Sequence, residues 1–119
     1  MEVSSTLTDG VSVIEYSHCL DQIRGSEFER IVSQQLTAGI RNFMLVIEPH
    51  NTVNEEGLNS IIHAYQSVFR ARGRIILVDV NNHVARIRNS RIGTIMGVYR
   101  NRETGMESFS HNGNQPPTP

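Results

Sequence analysis

The sequence predicts an α/β protein: a mixed, partly parallel β-sheet with helices packed on it and a β-hairpin at its N-terminus. Three observations predict it. Residues 43–47 and 74–80 are runs of strand length that are almost wholly apolar, as expected of strands covered on both faces. Between them, Leu58, Ile61, Ile62, Tyr65, Val68 and Phe69 recur at the i, i+3, i+4, i+7 spacing of one helix face. Ahead of both, Asp9-Gly10 separates two segments of strand length and readily supplies the φ > 0 positions of a tight hairpin turn.

Taken in order, residues 3–7 and 11–16 form the hairpin. His18-Cys19-Leu20-Asp21 leads into a first helix, with Ser26 and Glu29 in the Ser-x-x-Glu spacing of a capping box. Phe28, Ile31, Val32, Leu36 and Ile40 lie along one face of this helix, and Gly39 marks its end. Residues 43–47 are the next strand; Pro49 forbids continuing the ladder, so residues 50–53 read as a loop. Asn54 is placed to cap the second helix, residues 55–71, and Glu55 and Glu56 fall in its first turn, where the helix dipole favours negative charge. Gly73 closes that helix before the strand 74–80. Asn81 or Asn82 can cap a third, arginine-rich helix carrying Val84, Ile87 and Ile92, and residues 94–99 read as a last strand. The resulting order, β-β-α-β-α-β-α-β, implies right-handed crossovers. From residue 103 to 119 the composition shifts to Ser, Asn, Gly and Pro, so the expected organisation is one domain over 1–102 and a flexible tail over 103–119.

A chain of 119 residues with 38% hydrophobic and 19% charged residues is an ordinary globular composition, and no apolar run approaches the roughly 18 residues of a membrane span. The N-terminus has no signal-peptide pattern. With Cys19 as the only cysteine, the sequence offers neither an internal disulfide nor a cysteine-based zinc site, which suits a reducing cytoplasm, the expected location. The net charge of −1 argues against a general nucleic-acid binder, although the basic residues, all arginine, cluster at Arg70, Arg72, Arg74 and at Arg86, Arg88, Arg91. No nucleotide fingerprint, phosphate loop or serine elbow is present. His18 and Cys19 are sequence neighbours whose side chains point apart on an extended segment, and no spacing among Glu48, His50, Glu55 and Glu56 is diagnostic of a metal site. The expectation is therefore no catalysis, no cofactor and no metal.

Three stretches together resemble the STAS family, named for sulfate transporters and anti-sigma factor antagonists. His18-Cys19-Leu20-Asp21 resembles its Gly-x-Leu-Asp after the second strand, Leu45-Val46-Ile47-Glu48 its strand ending in an acid, and Asn54-Glu55-Glu56-Gly57-Leu58 its Asp-Ser-Ser-Gly-Leu. Arg72-Gly73-Arg74 ahead of the next strand is also similar, and the likeness spans residues 11–100. It implies a STAS-like fold and an interaction module that binds an anti-sigma factor or serine kinase-like regulator. In antagonists of that family the second serine of the motif is phosphorylated by the partner kinase. Here Glu56 stands at that position, and a carboxylate cannot take a stable phosphoryl ester; it carries about −1 charge where phosphoserine carries about −1.5 to −2. Glu55 and Glu56 thus have two readings: a permanent imitation of the phosphorylated state, or acids matched to the helix dipole. On helical spacing Glu56, Ser60, His63, Ser67 and Arg70 form a polar stripe, read either as a partner face or as a solvated one. The candidate switch residues are Asn54, Glu55, Glu56, Gly57, Ser60 and His63, with Thr52 as an alternative hydroxyl for phosphorylation. The alternative function is a structural STAS subunit of a signalling scaffold or of a lipid or anion transport complex, and a switch antagonist is expected as a monomer or homodimer.

Overall fold

In the computed structural model, which describes residues 2–114, alternation along two central strands sorts the apolar side chains onto two faces of one sheet. The sheet has the order β1-β2-β4-β6-β7. β1 (Val3–Thr8) and β2 (Val11–Tyr16) form the antiparallel hairpin, with Asp9 (φ 51°) and Gly10 (φ 80°) in its turn. β4 (Asn42–Ile47), β6 (Arg74–Asp79) and β7 (Gly97–Tyr99) follow β2 in parallel. Phe43, Leu45 and Ile47 of β4 and Ile75 and Leu77 of β6 face a core built with α1 (Gln22–Thr37) and α2 (Glu55–Arg70). Met44, Val46, Ile76 and Val78 face the other side. Covering both faces is what makes these strands read as unbroken apolar runs.

α2 buries Ile61, Ala64 and Val68 against the sheet and against α1, whose Phe28 and Val32 lie in the same core. At the helix crossing Gly25 of α1 meets Ser60 of α2 so closely that a Cβ on Gly25 would lie 2.3 Å from Ser60 Oγ. The first helix begins earlier than the Ser26–Glu29 spacing suggests. Asp21 is its N-cap, accepting from the Arg24 amide at 2.9 Å, while Ser26 sits exposed inside the helix. That bond holds the Asp21 carboxyl below its usual pKa. The loop expected over 50–53 carries a two-residue strand, β5 (Thr52–Val53), parallel to β3 (Cys19–Leu20).

The third helix is in fact two single turns, α3 (Ala85–Arg88) and α4 (Ile92–Ile95), after a 3-10 turn at Val80–Asn82. Asn81 and Asn82 do not cap it. Both have positive φ (63° and 53°), and the amides that follow go to Asp79 instead. Val84, Ile87 and Ile92 are buried as expected, and the last strand is shorter than the sequence suggests, beginning at Gly97.

The flexible tail expected over 103–119 is corrected by α5 (Arg102–Asn114), which covers the second face of the sheet; the part of that expectation beyond residue 114 lies outside the described residues. Asn101 accepts from the Thr104 amide at 2.8 Å, starting the helix. Phe109 and Met106 pack on Met44, Val46, Ile76 and Val78, and the Arg74 guanidinium lies 5.0 Å over the Phe109 ring. Low overall hydrophobicity hid a helix that needs only a narrow stripe, because one helix suffices to cover that face. No described helix is long and apolar enough to cross a membrane.

Candidate functional site

β2 and β4 end side by side, and the segments that leave them, residues 17–21 and 48–54, are tied together by one buried side chain. Asn51 is 1% exposed. Its Nδ2 donates to the carbonyls of Tyr16 (3.2 Å) and His18 (3.1 Å), and its Oδ1 accepts from the Glu48 amide at 3.0 Å. Main-chain bonds from Thr52 to His18 O and from Asn54 to Leu20 O continue the seam. Tyr16 closes it by donating its hydroxyl to Thr52 O at 3.0 Å, and burial above all, with the nearby Cys19 and Asp79, raises that hydroxyl's pKa far above the usual tyrosine value. His18 occupies the left-handed region at φ 59°, where glycine is free of strain.

This seam fixes the start of α2. Asn54 caps it, accepting from the Gly57 amide at 2.9 Å, and Glu55 and Glu56 project into solvent from the first turn. Gly57 is held against the preceding segment: a Cβ there would lie 1.9 Å from the carbonyl oxygen of Leu20. Glycine is required at this position by contact with the backbone.

The expected polar stripe is only partly present. Glu56, His63 and Arg70 are exposed, but Ser60 is 5% exposed beneath α1, because it fills the space left by Gly25. The Ser60 hydroxyl is therefore not exposed on this face of α2. His63 lies 61% exposed with Nδ1 3.5 Å from Glu29 of α1. Thr52 is exposed on the rim of the seam. Glu48 pairs with Arg102 of α5, which also pairs with Glu15. Among the described residues no three of His, Cys, Asp and Glu gather as a metal site would need.

Sequence reasoning missed the second tether of this end of the sheet. Asp79, fully buried at the end of β6, accepts from the amides of His83 (3.2 Å) and Val84 (3.1 Å). His83 then reaches back across the seam: Nδ1 stands 2.9 Å from Asp79 Oδ1 and 2.8 Å from Val80 O, and Nε2 stands 3.0 Å from Asn51 O. An acid ending an otherwise apolar strand, four residues before a histidine, was the available signal. The three partners of the ring nitrogens, Asp79 Oδ1, Val80 O and Asn51 O, are all acceptors, so the doubly protonated imidazolium satisfies them best. Burial opposes the charge, but the bonds to the Asn51 and Val80 carbonyls and the Asp79 carboxylate outweigh it, and the His83 pKa is raised above 6.5. A group whose pKa rises on folding contributes stability that is complete below its unfolded value and lost as pH climbs through the folded one. Urea midpoints measured from about pH 5.5 to 9 are therefore expected to fall more for the native protein than for His83→Gln; parallel curves would remove this role.

A parallel sheet edged by a hairpin, crossed over by helices on one face and closed by a C-terminal helix on the other, with a capped helix start at its carboxyl edge, defines the STAS fold. The chain is similar to a Thermotoga maritima protein assigned provisionally as an anti-sigma factor antagonist, at 20% identity over 89% of this chain and 92% of that one, with a TM-score of 0.78. It is similar also to an anti-sigma factor antagonist from Mycobacterium paratuberculosis (13% identity, 89% and 91% covered, TM-score 0.73). A third likeness is to the phosphorylated form of the Bacillus cell fate determinant SpoIIAA (16% identity, 89% and 97% covered, TM-score 0.67). At these identities the likeness establishes the fold. No protein-family model and no curated protein matches the sequence.

Proposed function

We propose that the protein is a non-catalytic interaction module of the anti-sigma factor antagonist kind, which binds an anti-sigma factor or serine kinase-like regulator through the start of α2. The observation that carries this reading is the rigidly seated α2 N-terminus, whose exposed residues Glu55 and Glu56 make no ion pair among the described residues. An acid at a helix N-terminus is already favoured by the dipole, yet two unpaired carboxylates beside an anchored loop also form a fixed negative recognition patch. Glu56 stands where the family resemblance places the phosphorylated serine, so the module offers no hydroxyl there, and Thr52 is an alternative hydroxyl for phosphorylation at this rim. The lack of a hydroxyl at Glu56 also favours a second reading, a non-switching subunit of a scaffold or of a lipid or anion transport complex. Affinity purification of the tagged full chain, with mass spectrometry of its partners, tests the two against each other. Recovery of a kinase-fold or sigma-regulating protein supports the first reading; recovery of a multi-subunit transport or scaffold assembly alone replaces it with the second.

A further inference from the structure

β1 is an outer strand of the five-stranded sheet, and its sequence, Val-Ser-Ser-Thr-Leu-Thr, contains no charge, proline or glycine. It pairs with β2 residue for residue over its whole length, without a bulge. Natural edges are usually blunted by a charge, a proline or a bulge, and β1 has none of these within its span. The Ser17 amide donates to Glu2 O at 3.0 Å, making Glu2 and Ser17 a hydrogen-bonded pair of the ladder. The alternation of antiparallel ladders then leaves the N–H and C=O groups of Val3, Ser5 and Leu7 pointing away from β2.

The same three residues face the α1 side. Val3 is buried in the main core, Ser5 Oγ accepts from Gln35 of α1 at 2.8 Å, and Leu7 is 62% exposed. Beside them a groove of about 350 Å³ opens between β1 and α1, lined by Val3, Ser5, Arg30, Ile31 and Gln35 among others. The edge thus carries an open groove at one end, lined by Val3 and Ile31 among polar side chains, and an unburied leucine at the other.

We propose that β1 pairs with β1 of a second copy of this chain, antiparallel about a two-fold axis normal to the sheet that passes midway between Ser5 of one copy and Ser5 of the other. The two sheets join into one. This register sets the outward groups of Val3, Ser5 and Leu7 against those of Leu7, Ser5 and Val3, forming roughly six backbone hydrogen bonds. It places Leu7 of each copy beside Val3 of the other, at the groove, and it opposes Glu2 with Thr8 instead of a like charge. Because the contact is self-complementary about a two-fold axis, it closes at the dimer.

Sedimentation equilibrium on the full chain from about 10 µM to about 1 mM covers the range of a small interface of this kind. The weight-average mass is expected to climb toward twice the chain mass of 13.4 kDa. Amide exchange at Val3, Ser5 and Leu7 is expected to slow at least about tenfold as the dimer fills. Leu7→Lys and Ser5→Pro, the second removing an outward N–H, are each expected to melt cooperatively and to stay at the monomer mass. Three results overturn the proposal: the monomer mass throughout, growth beyond the dimer, or folded variants that dimerise as the native chain does.

Discussion

Gly57→Ala is expected to cost about 3 kcal/mol or more, lowering the melting temperature by about 10 °C or preventing folding. The added methyl group would meet the Leu20 carbonyl at 1.9 Å, and that carbonyl is held by the Asn54 amide. Relief requires α2 to move off β3 or the seam to open. Either movement displaces Glu55 and Glu56, so a folded residue of the variant is expected to bind partners more weakly as well. Differential scanning calorimetry reads the first effect, and an unchanged melting temperature would show that the contact relaxes without consequence.

Asp79→Ala is expected to cost about 3 to 5 kcal/mol in chemical denaturation, because two amide donors lose their acceptor at a fully buried position. The loss is not the carboxylate alone. The amides of His83 and Val84 lose their acceptor, and the His83 ring loses the charge that favours its protonated form. Asp79→Asn, which keeps one acceptor oxygen, is expected to lose roughly half as much. Both variants should flatten the pH dependence assigned to His83. A full pH slope in Asp79→Ala would show that the Asn51 and Val80 carbonyls alone sustain the raised His83 pKa.

Why some of this was legible in the sequence and some was not follows from the physics of each element. β4 and β6 were legible because burial on both faces makes a strand continuously apolar, α2 because burial of one face imposes a period of 3.6, and Asn54 because a side-chain cap is local chemistry. The same locality misled at α1, where Asp21 caps the helix although Ser26 and Glu29 have the spacing of a capping box. α5 was hidden because Phe109 and Met106 provide too few apolar positions to show a period. At the candidate site, the exposed Glu55 and Glu56 were legible as acids in a first turn. Ser60 was misplaced because its burial depends on Gly25, some 35 residues away, and helical spacing on α2 carries no trace of it. Asn51 was missed for the same reason. The bonds of Asn51 to Tyr16 and His18, and of His83 to Asn51, reach across the carboxyl edge of the sheet and are set by topology, whereas Asp79 and His83 stand four residues apart and their pairing is local.

The claim that the start of α2 is the recognition surface is tested most directly by titrating the purified partner against the native chain, Glu56→Ala, and Phe69→Ser at the other end of the helix. Phe69 is 67% exposed and stacks on Tyr65, so its substitution alters the surface of α2 far from Glu56 without opening the core. An interfacial charge is worth about 1 kcal/mol or more, so Glu56→Ala is expected to change the dissociation constant at least about fivefold, with Phe69→Ser within about twofold of native. Native affinity in Glu56→Ala, with binding lost in Phe69→Ser, would contradict the account and move the surface to the far end of α2.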